Sequence, residues 1–180
     1  LTVGPDIDYV LVKTFNPYTH LPVNVILAKA LLGKYFKPEG ENGDFDGYSE
    51  TVKLLPWTVL ANFKGADLEG IQYEQLLPFE SNSLERIHEN TPGAEPFKVI
   101  TGDFVTTEDG TGIVHTAPAF GADDFRVGRK HNLGILTLVD REGKFIYGTG
   151  EFSGRYVKNY KDDPAYADVN VDRSEERRVG

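Results

Sequence analysis

The sequence lacks cysteine and methionine altogether, and only one of its 180 residues is tryptophan. Without cysteine, disulfide bonds, thiolate catalysis and cysteine-based zinc sites are excluded. No apolar run is long enough to cross a bilayer, and the cytoplasm is the expected compartment. Because the chain begins at Leu1 and contains no methionine, we expect it to be a fragment of a longer protein.

Positively charged residues are also fewer than negatively charged ones. There are 19 lysine and arginine residues against 28 aspartate and glutamate residues, which gives a formal net charge of -9 at pH 7. A protein that binds nucleic acid by itself is usually basic. We therefore expect any affinity for phosphate groups to come from another part of a larger protein. The length and the 39% hydrophobic content fit one globular domain with a sizeable core.

The most informative stretch of the sequence runs from Gly110 to Phe125. Gly110 and Gly112 let the backbone turn tightly or lie against a ligand. The residues from Ile113 to Thr116 are β-branched around one histidine, which is typical of a strand, and Pro118 should end that strand. A small-residue loop and a helix follow. The pattern predicts a junction that holds side chains from a strand and a helix on a rigid scaffold.

The predicted helix begins with two carboxylates, Asp123 and Asp124, where the macrodipole favours negative charge. Taken singly, acids at a helix start are usually caps, and a histidine in a strand is often a core residue. The combination of glycines, histidine, small-residue loop and acid pair indicates a site. One interpretation is a metal-dependent hydrolase with His115, Asp123, Asp124 and His131 as ligands. Adjacent acids at a helix start point in different directions, which disfavours it.

The residues from Gly110 to Asp124 read GTGIVHTAPAFGADD. This stretch resembles the signature of the editing domain of the isoleucyl-tRNA synthetase family, and the valyl and leucyl enzymes carry looser versions of it. The resemblance extends to Leu1–Tyr9, Phe63–Leu77 and Leu136–Lys144. It implies a mainly β fold, namely a closed β-barrel with a few peripheral α-helices.

The resemblance also implies an activity, which is the hydrolytic removal of valine from valyl-tRNA(Ile) by an aminoacyl-tRNA deacylase domain. The implied partners are the acceptor end of tRNA(Ile) carrying valine and the remainder of the synthetase chain, with no membrane and no DNA. No cofactor or metal is expected in this domain, since ATP and Mg are used by the synthetic domain of the parent enzyme. The nucleophile would be water, because no Ser-His-Asp arrangement is evident. The group that activates this water stays open.

In the family the matching histidine and aspartate line the editing pocket, which makes His115 and Asp124 the catalytic candidates. Asp124 would face the α-ammonium group of the aminoacyl ester, and His115 would form part of the pocket wall. Asp123 is expected to be a helix cap. The residues expected to bind substrate are Gly112, Thr116, Ala117, Pro118, Ala119, Phe120 and Gly121.

The family's threonine-rich editing segment is missing. That segment ends in Pro-Trp-Thr and precedes the part matched by Leu1 to Pro5, whereas Pro56–Thr58 lies far downstream without the preceding threonines. We predict that Trp57 is a core residue and that the fragment alone is weakly active. A non-catalytic module that binds the aminoacyl end of tRNA is therefore a second alternative. The editing domain is expected over residues 1–172, and residues 173–180, which break the resemblance, are expected to be a non-native tail.

Outside the motif, the sequence predicts a strand over Tyr9–Thr14 and, from apolar residues at helical spacing, a helix over Val23–Phe36. Asp109 followed by Gly110 predicts a hairpin turn. A buried strand is predicted over Leu136–Val139, followed by a turn at Asp140–Gly143.

Overall fold

The computed structural model describes residues 1–74, 96–135 and 137–158. The chain divides into two compact units. The first consists of Leu1–Tyr73 and Phe97–Ala117, and the second of Glu74–Pro96 and Pro118–Gly180. The predicted tail at 173–180 lies outside the described residues, as does Leu136.

Strands outweigh helices in the described residues, so the prediction of a mainly β fold is confirmed. The strands are β1 (Thr2–Val3), β2 (Asp8–Phe15), β3 (Pro22–Ala28), β4 (Thr58–Lys64), β5 (Ile100–Thr101) and β6 (Ile113–Val114). The helices are α1 (Leu32–Tyr35), α2 (Gly65–Leu68) and α3 (Ala122–Lys130), with 3₁₀ turns at Lys29–Leu31, Pro38–Gly40 and Gly150–Phe152. None of these helices is long and apolar enough to span a membrane.

The larger sheet is antiparallel and has the order β3-β2-β4. Strands β2 and β3 form a hairpin whose register runs from Tyr9 opposite Ala28 to Phe15 opposite Pro22. Strand β4 pairs with the other edge of β2, and a bulge at Leu60 shifts its register. Such a bulge bends the strand and increases its twist.

The smaller sheet has the order β5-β1-β6, with β1 parallel to β5 and antiparallel to β6. Every strand in it is two residues long. It matters for the site because β6 is the strand of the glycine-histidine motif, and β1 holds it in place.

Both faces of β2 are covered by apolar side chains. Because successive side chains of a strand point to opposite faces, Tyr9 lies in one buried cluster and Val10 and Val12 lie in another. Trp57 belongs to the second cluster, where its indole Nε1 donates to the carbonyl of Lys37 at 2.8 Å. The prediction that Trp57 is a core residue is confirmed.

The prediction of a closed β-barrel is not supported by the described residues, which form two separate three-stranded sheets. A barrel closes only when its first and last strands pair. Within the described ranges, β3 and β4 are both edge strands of the larger sheet. The two-residue strands of the smaller sheet pair with neither of these edges.

Three predictions of local structure need correction. The helix expected over Val23–Phe36 is wrong in its first half, because these residues continue the hairpin with β2 as β3, and only Leu32–Tyr35 is α-helical. The hairpin expected at Asp109 is also wrong, since β5 and β6 flank β1 and do not pair with each other. Of the described residues 137–139 in the strand predicted before Asp140, only Val139 makes an isolated bridge, with Phe145. The turn after it is confirmed by a hydrogen bond from Gly143 N–H to the Asp140 carbonyl.

Candidate functional site

A tight turn, Asp109–Gly112, leads the chain into the histidine motif, and we call it the glycine turn. Gly110 and Gly112 have φ angles of +65° and +75°, in the left-handed region that favours glycine. A Cβ atom added at Gly112 would lie 2.5 Å from the Cβ of Ala28. Both glycines are therefore favoured by backbone conformation, and the second is also required by the close approach to β3.

Each residue of the glycine turn is held by a different group from the first unit. The ammonium of Lys34 pairs with the carboxylate of Asp109, and this hydrogen bond lowers the pKa of Asp109. The next three residues are held through their backbone carbonyls. Gly110 accepts from the Tyr35 hydroxyl at 2.8 Å, Thr111 from the Ala28 N–H at 2.8 Å, and Gly112 from the Tyr9 hydroxyl at 2.6 Å.

The strand that follows presents its side chains alternately. The hydroxyl of Thr116 is hydrogen-bonded to the hydroxyl of the fully buried Thr2 in β1. His115, between Val114 and Thr116, is exposed. Because alternate residues of an extended chain face opposite ways, Thr116 anchors the segment inward while His115 is open to a ligand.

In the second unit, a loop of small residues leads into α3. Gly121 is the N-cap residue of α3, and its carbonyl accepts the first helical hydrogen bond from Phe125 at 2.8 Å. Asp123 forms an ion pair with Arg126 one turn further along the helix. The prediction that Asp123 caps the helix is therefore wrong, because an extended glycine takes the cap position and leaves the acid inside the first turn.

Asp124 is half-buried and folds back toward the start of its own helix. A Cβ atom added at Gly121 would lie 2.7 Å from Oδ2 of Asp124, so the carboxylate occupies the space that a side chain at position 121 would need. The carboxylate thus lies beside the backbone of the loop predicted to bind substrate. Phe120, the neighbouring loop residue, is 66% exposed.

The loop is packed against the middle of α3. A Cβ atom at Gly128 would lie 2.9 Å from Cγ of Pro118, so the missing side chain lets the proline ring rest on the helix. The helix ends with Asn132 at φ +57° and with hydrogen bonds from Asn132 N–H to Arg129 and from Leu133 N–H to Gly128. This is a Schellman motif, which satisfies the last carbonyls of the helix.

The boundary between the two units falls between Ala117 and Pro118, inside the motif itself. His115, Thr116 and Ala117 belong to the first unit together with the glycine turn. The second unit holds Asp124 together with the predicted substrate-binding residues Pro118, Ala119, Phe120 and Gly121. Across residues 1–74, 96–135 and 137–158, no group of three or more histidine, aspartate and glutamate side chains is arranged to hold a metal ion.

Sequence reasoning missed the residues that support the motif from a distance. Tyr9 is separated from Gly112 by 103 positions, and Tyr35 from Gly110 by 75. No local pattern reveals contacts at such separations. The one available signal was that the segment Leu1–Tyr9 shares the family resemblance.

No family model matches the chain, but individual relatives do. The chain is 49% identical over 168 residues, 88% of its length, to the isoleucine–tRNA ligase of Cytophaga hutchinsonii. It is 46% identical over 173 residues, 96% of its length, to that of Porphyromonas gingivalis. The same ligase of Clostridium tetani is 43% identical over 158 residues, 86% of the chain. The chain belongs to the isoleucine–tRNA ligase family.

Isoleucine–tRNA ligase is another name for isoleucyl-tRNA synthetase, so the family inferred from the motif is confirmed. The chain spans only about 14% of the length of each of these three ligases. The context is thus that of an aminoacyl-tRNA synthetase, an enzyme of protein biosynthesis.

Proposed function

We propose that this chain is the editing segment of an isoleucyl-tRNA synthetase and hydrolyses valyl-tRNA(Ile) to valine and free tRNA. The observation that carries the proposal is the motif Gly110–Asp124. Its two glycines are favoured by backbone geometry, its histidine is exposed, and its second acid lies beside a loop of small residues. Similarity to isoleucine–tRNA ligases over most of the chain supports it.

The need for such an activity is physical. For isoleucyl-tRNA synthetase, the well-known example of this limit, one methylene in an apolar pocket is worth only about 1–3 kcal/mol, so valine cannot be excluded by binding alone. A second site that admits valine and not isoleucine can hydrolyse the wrong product. The residues of the motif would form that second site.

In the proposed reaction, a water oxygen attacks the ester carbonyl carbon, and the bond from that carbon to the ribose oxygen breaks. One proton of the water ends on the ribose oxygen, the other is released to solvent, and valine leaves with its carboxylate. The carboxylate of Asp124 would pair with the α-ammonium group of valine and fix the ester in place. The exposed imidazole of His115 would line the pocket beside the valine side chain and the ester.

The remaining features of the proposal follow from the same resemblance. The partners are the valine-bearing acceptor end of tRNA(Ile) and the rest of the synthetase chain, in the cytoplasm. We propose that the editing domain of the synthetase is a closed β-barrel. The reaction requires no cofactor in this segment.

The test is a deacylation assay on valyl-tRNA(Ile), with the intact synthetase that carries this segment and with the 180-residue chain alone. We expect rapid hydrolysis by the synthetase and slow hydrolysis by the chain, because its net charge of -9 disfavours tRNA binding. A chelator should leave both rates unchanged. An intact synthetase that leaves valyl-tRNA(Ile) untouched would refute editing, and inhibition by the chelator that a metal reverses would favour a metal-dependent hydrolase.

A further inference from the structure

We propose that Tyr9 is a positioning residue for the editing motif. Its hydroxyl takes the place of a backbone hydrogen bond between the end of β1 and the glycine turn. This inference rests on the proposed editing function for its catalytic consequence. It does not depend on that function for its structural content.

The register of the smaller sheet shows where this backbone hydrogen bond would be. Thr2 lies opposite Val114 and Val3 opposite Ile113, so the next facing pair is Gly4 and Gly112. The carbonyl of Leu1 accepts from the N–H of Ile100 in β5, and that of Val3 accepts from Gly102, the residue after β5. Alternation along β1 therefore turns the polar groups of Gly4 toward Gly112. A direct hydrogen bond from Gly4 N–H to the Gly112 carbonyl would extend the ladder at this point.

The Tyr9 hydroxyl stands in that place. It accepts from Gly4 N–H at 3.0 Å and donates to the Gly112 carbonyl at 2.6 Å. Its side chain is fully buried, and burial raises the pKa of Tyr9, which keeps the hydroxyl protonated and able to donate. The hydroxyl thus sets the spacing between the end of β1 and the turn that precedes β6.

That spacing fixes where the motif begins. Gly112 is followed at once by β6, and three residues later by His115. The neighbouring carbonyls of Gly110 and Thr111 are held by Tyr35 and Ala28, so the turn is bonded on three successive residues. Without the Tyr9 hydroxyl, one possibility is that Gly4 N–H bonds directly to the Gly112 carbonyl, which draws Gly112 toward β1. The other is that these two buried polar groups stay unpaired. Either result moves the strand that carries His115.

The experiment compares Tyr9→Phe with Thr14→Val in the intact synthetase. Thr14 lies near the far end of the same strand, and its buried hydroxyl donates to the Pro56 carbonyl at 3.0 Å without contacting the motif. Both variants remove a buried hydroxyl donor from β2. We expect Tyr9→Phe to lower kcat for valyl-tRNA hydrolysis by between about tenfold and a hundredfold, with KM little changed, because a small misplacement of a catalytic group is costly. Thr14→Val should keep the kcat of the unchanged enzyme when both are assayed fully folded.

Amide hydrogen exchange supplies a readout that does not depend on editing. The N–H of Ala28 donates to the Thr111 carbonyl and therefore reports on the position of the glycine turn. Tyr9→Phe should accelerate exchange at Gly4 and Ala28, and Thr14→Val should not. If Tyr9→Phe is too unstable to assay, Tyr35→Phe, which frees only the Gly110 carbonyl at the exposed side of the turn, should accelerate exchange at Ala28 more modestly.

Normal editing and normal exchange in Tyr9→Phe would overturn the inference, as would a loss of editing that Thr14→Val reproduces. If the unchanged synthetase does not hydrolyse valyl-tRNA, the proposed function fails, and the exchange at Ala28 still decides whether Tyr9 positions the turn.

Discussion

Asp124 is the residue on which the proposed chemistry depends most directly. Asp124→Asn keeps the size of the side chain and removes its charge. A hydrogen bond to a charged partner is worth about 1.5–3 kcal/mol, so hydrolysis of valyl-tRNA by the intact synthetase should fall by about one to two decades. The free energy of unfolding should fall by less than about 1 kcal/mol, which is the usual scale of an acid near a helix N-terminus. Deacylation rates and thermal melting of the purified variant measure the two effects.

The matched control for this substitution is the neighbouring acid. Asp123→Asn removes the same charge from the same helical turn but loses only an exposed ion pair with Arg126. It should leave editing nearly unchanged. Greater damage from Asp123→Asn than from Asp124→Asn would show that the wrong acid has been assigned to the site.

Gly121 provides a second way to displace the Asp124 carboxylate without altering its charge. The φ angle of Gly121 is -149°, which any residue adopts, so Gly121→Ala introduces no backbone strain. The new methyl group would lie 2.7 Å from Oδ2 of Asp124 and should rotate the carboxylate away. We expect slower editing, together with a loss of about 1 kcal/mol of unfolding free energy, because alanine is a poorer N-cap residue than glycine.

A double-mutant cycle measures whether the effect passes through Asp124. In the Asp124→Asn background, Gly121→Ala should cost little further activity, because the interaction that it disturbs is already lost. Full additivity of the two rate losses would contradict the proposed contact.

Helix α3 depends on a close approach that only glycine permits. In Gly128→Ala the added methyl group would lie 2.9 Å from the Pro118 ring. Overpacking of this kind usually costs about 1–3 kcal/mol of unfolding free energy, which should outweigh the gain of up to about 1 kcal/mol from replacing glycine by alanine in a helix. Denaturant unfolding of the 180-residue chain measures the difference.

Gly33→Ala is the control for α3, because it makes the same substitution within a helix. A Cβ atom at Gly33, in α1, would meet nothing within 4 Å. It should therefore be neutral or slightly stabilising. Equal unfolding free energies for the two variants would mean that the contact with Pro118 is not tight.

Elements defined by local signals could be predicted from the sequence, and those defined by distant pairing could not. The strand at Tyr9–Thr14 and the helix after Asp123 were predicted because propensity and spacing agree with their surroundings. The sequence predicts a helix where β3 lies because the apolar residues there fit both periods, and the pairing with β2 decides in favour of the strand. The β-branched Val23, Val25 and Ile26 were the local sign of a strand.

The candidate site divides in the same way. The two glycines of the turn, the histidine and the acids of the first helical turn could be recognised from the order of residues. The capping role of Gly121 could not, because it depends on the extended backbone at the helix start. The hydrogen bonds from Tyr9 to Gly112 and between Thr2 and Thr116 could not be predicted either, because they depend on how distant strands meet.

For the molecule as a whole, the single tryptophan is a fluorescence probe of unfolding. This tryptophan is Trp57, which lies in the first unit, buried and with its ring centroid 5.4 Å from that of Phe36. Tryptophan emission therefore reports on the first unit alone, whereas far-ultraviolet circular dichroism records the helix α3 of the second unit as well. Gly128→Ala lies in the second unit and should lower the midpoint of the dichroism transition while leaving the emission midpoint unchanged. If both midpoints move together, the two units unfold as one cooperative body.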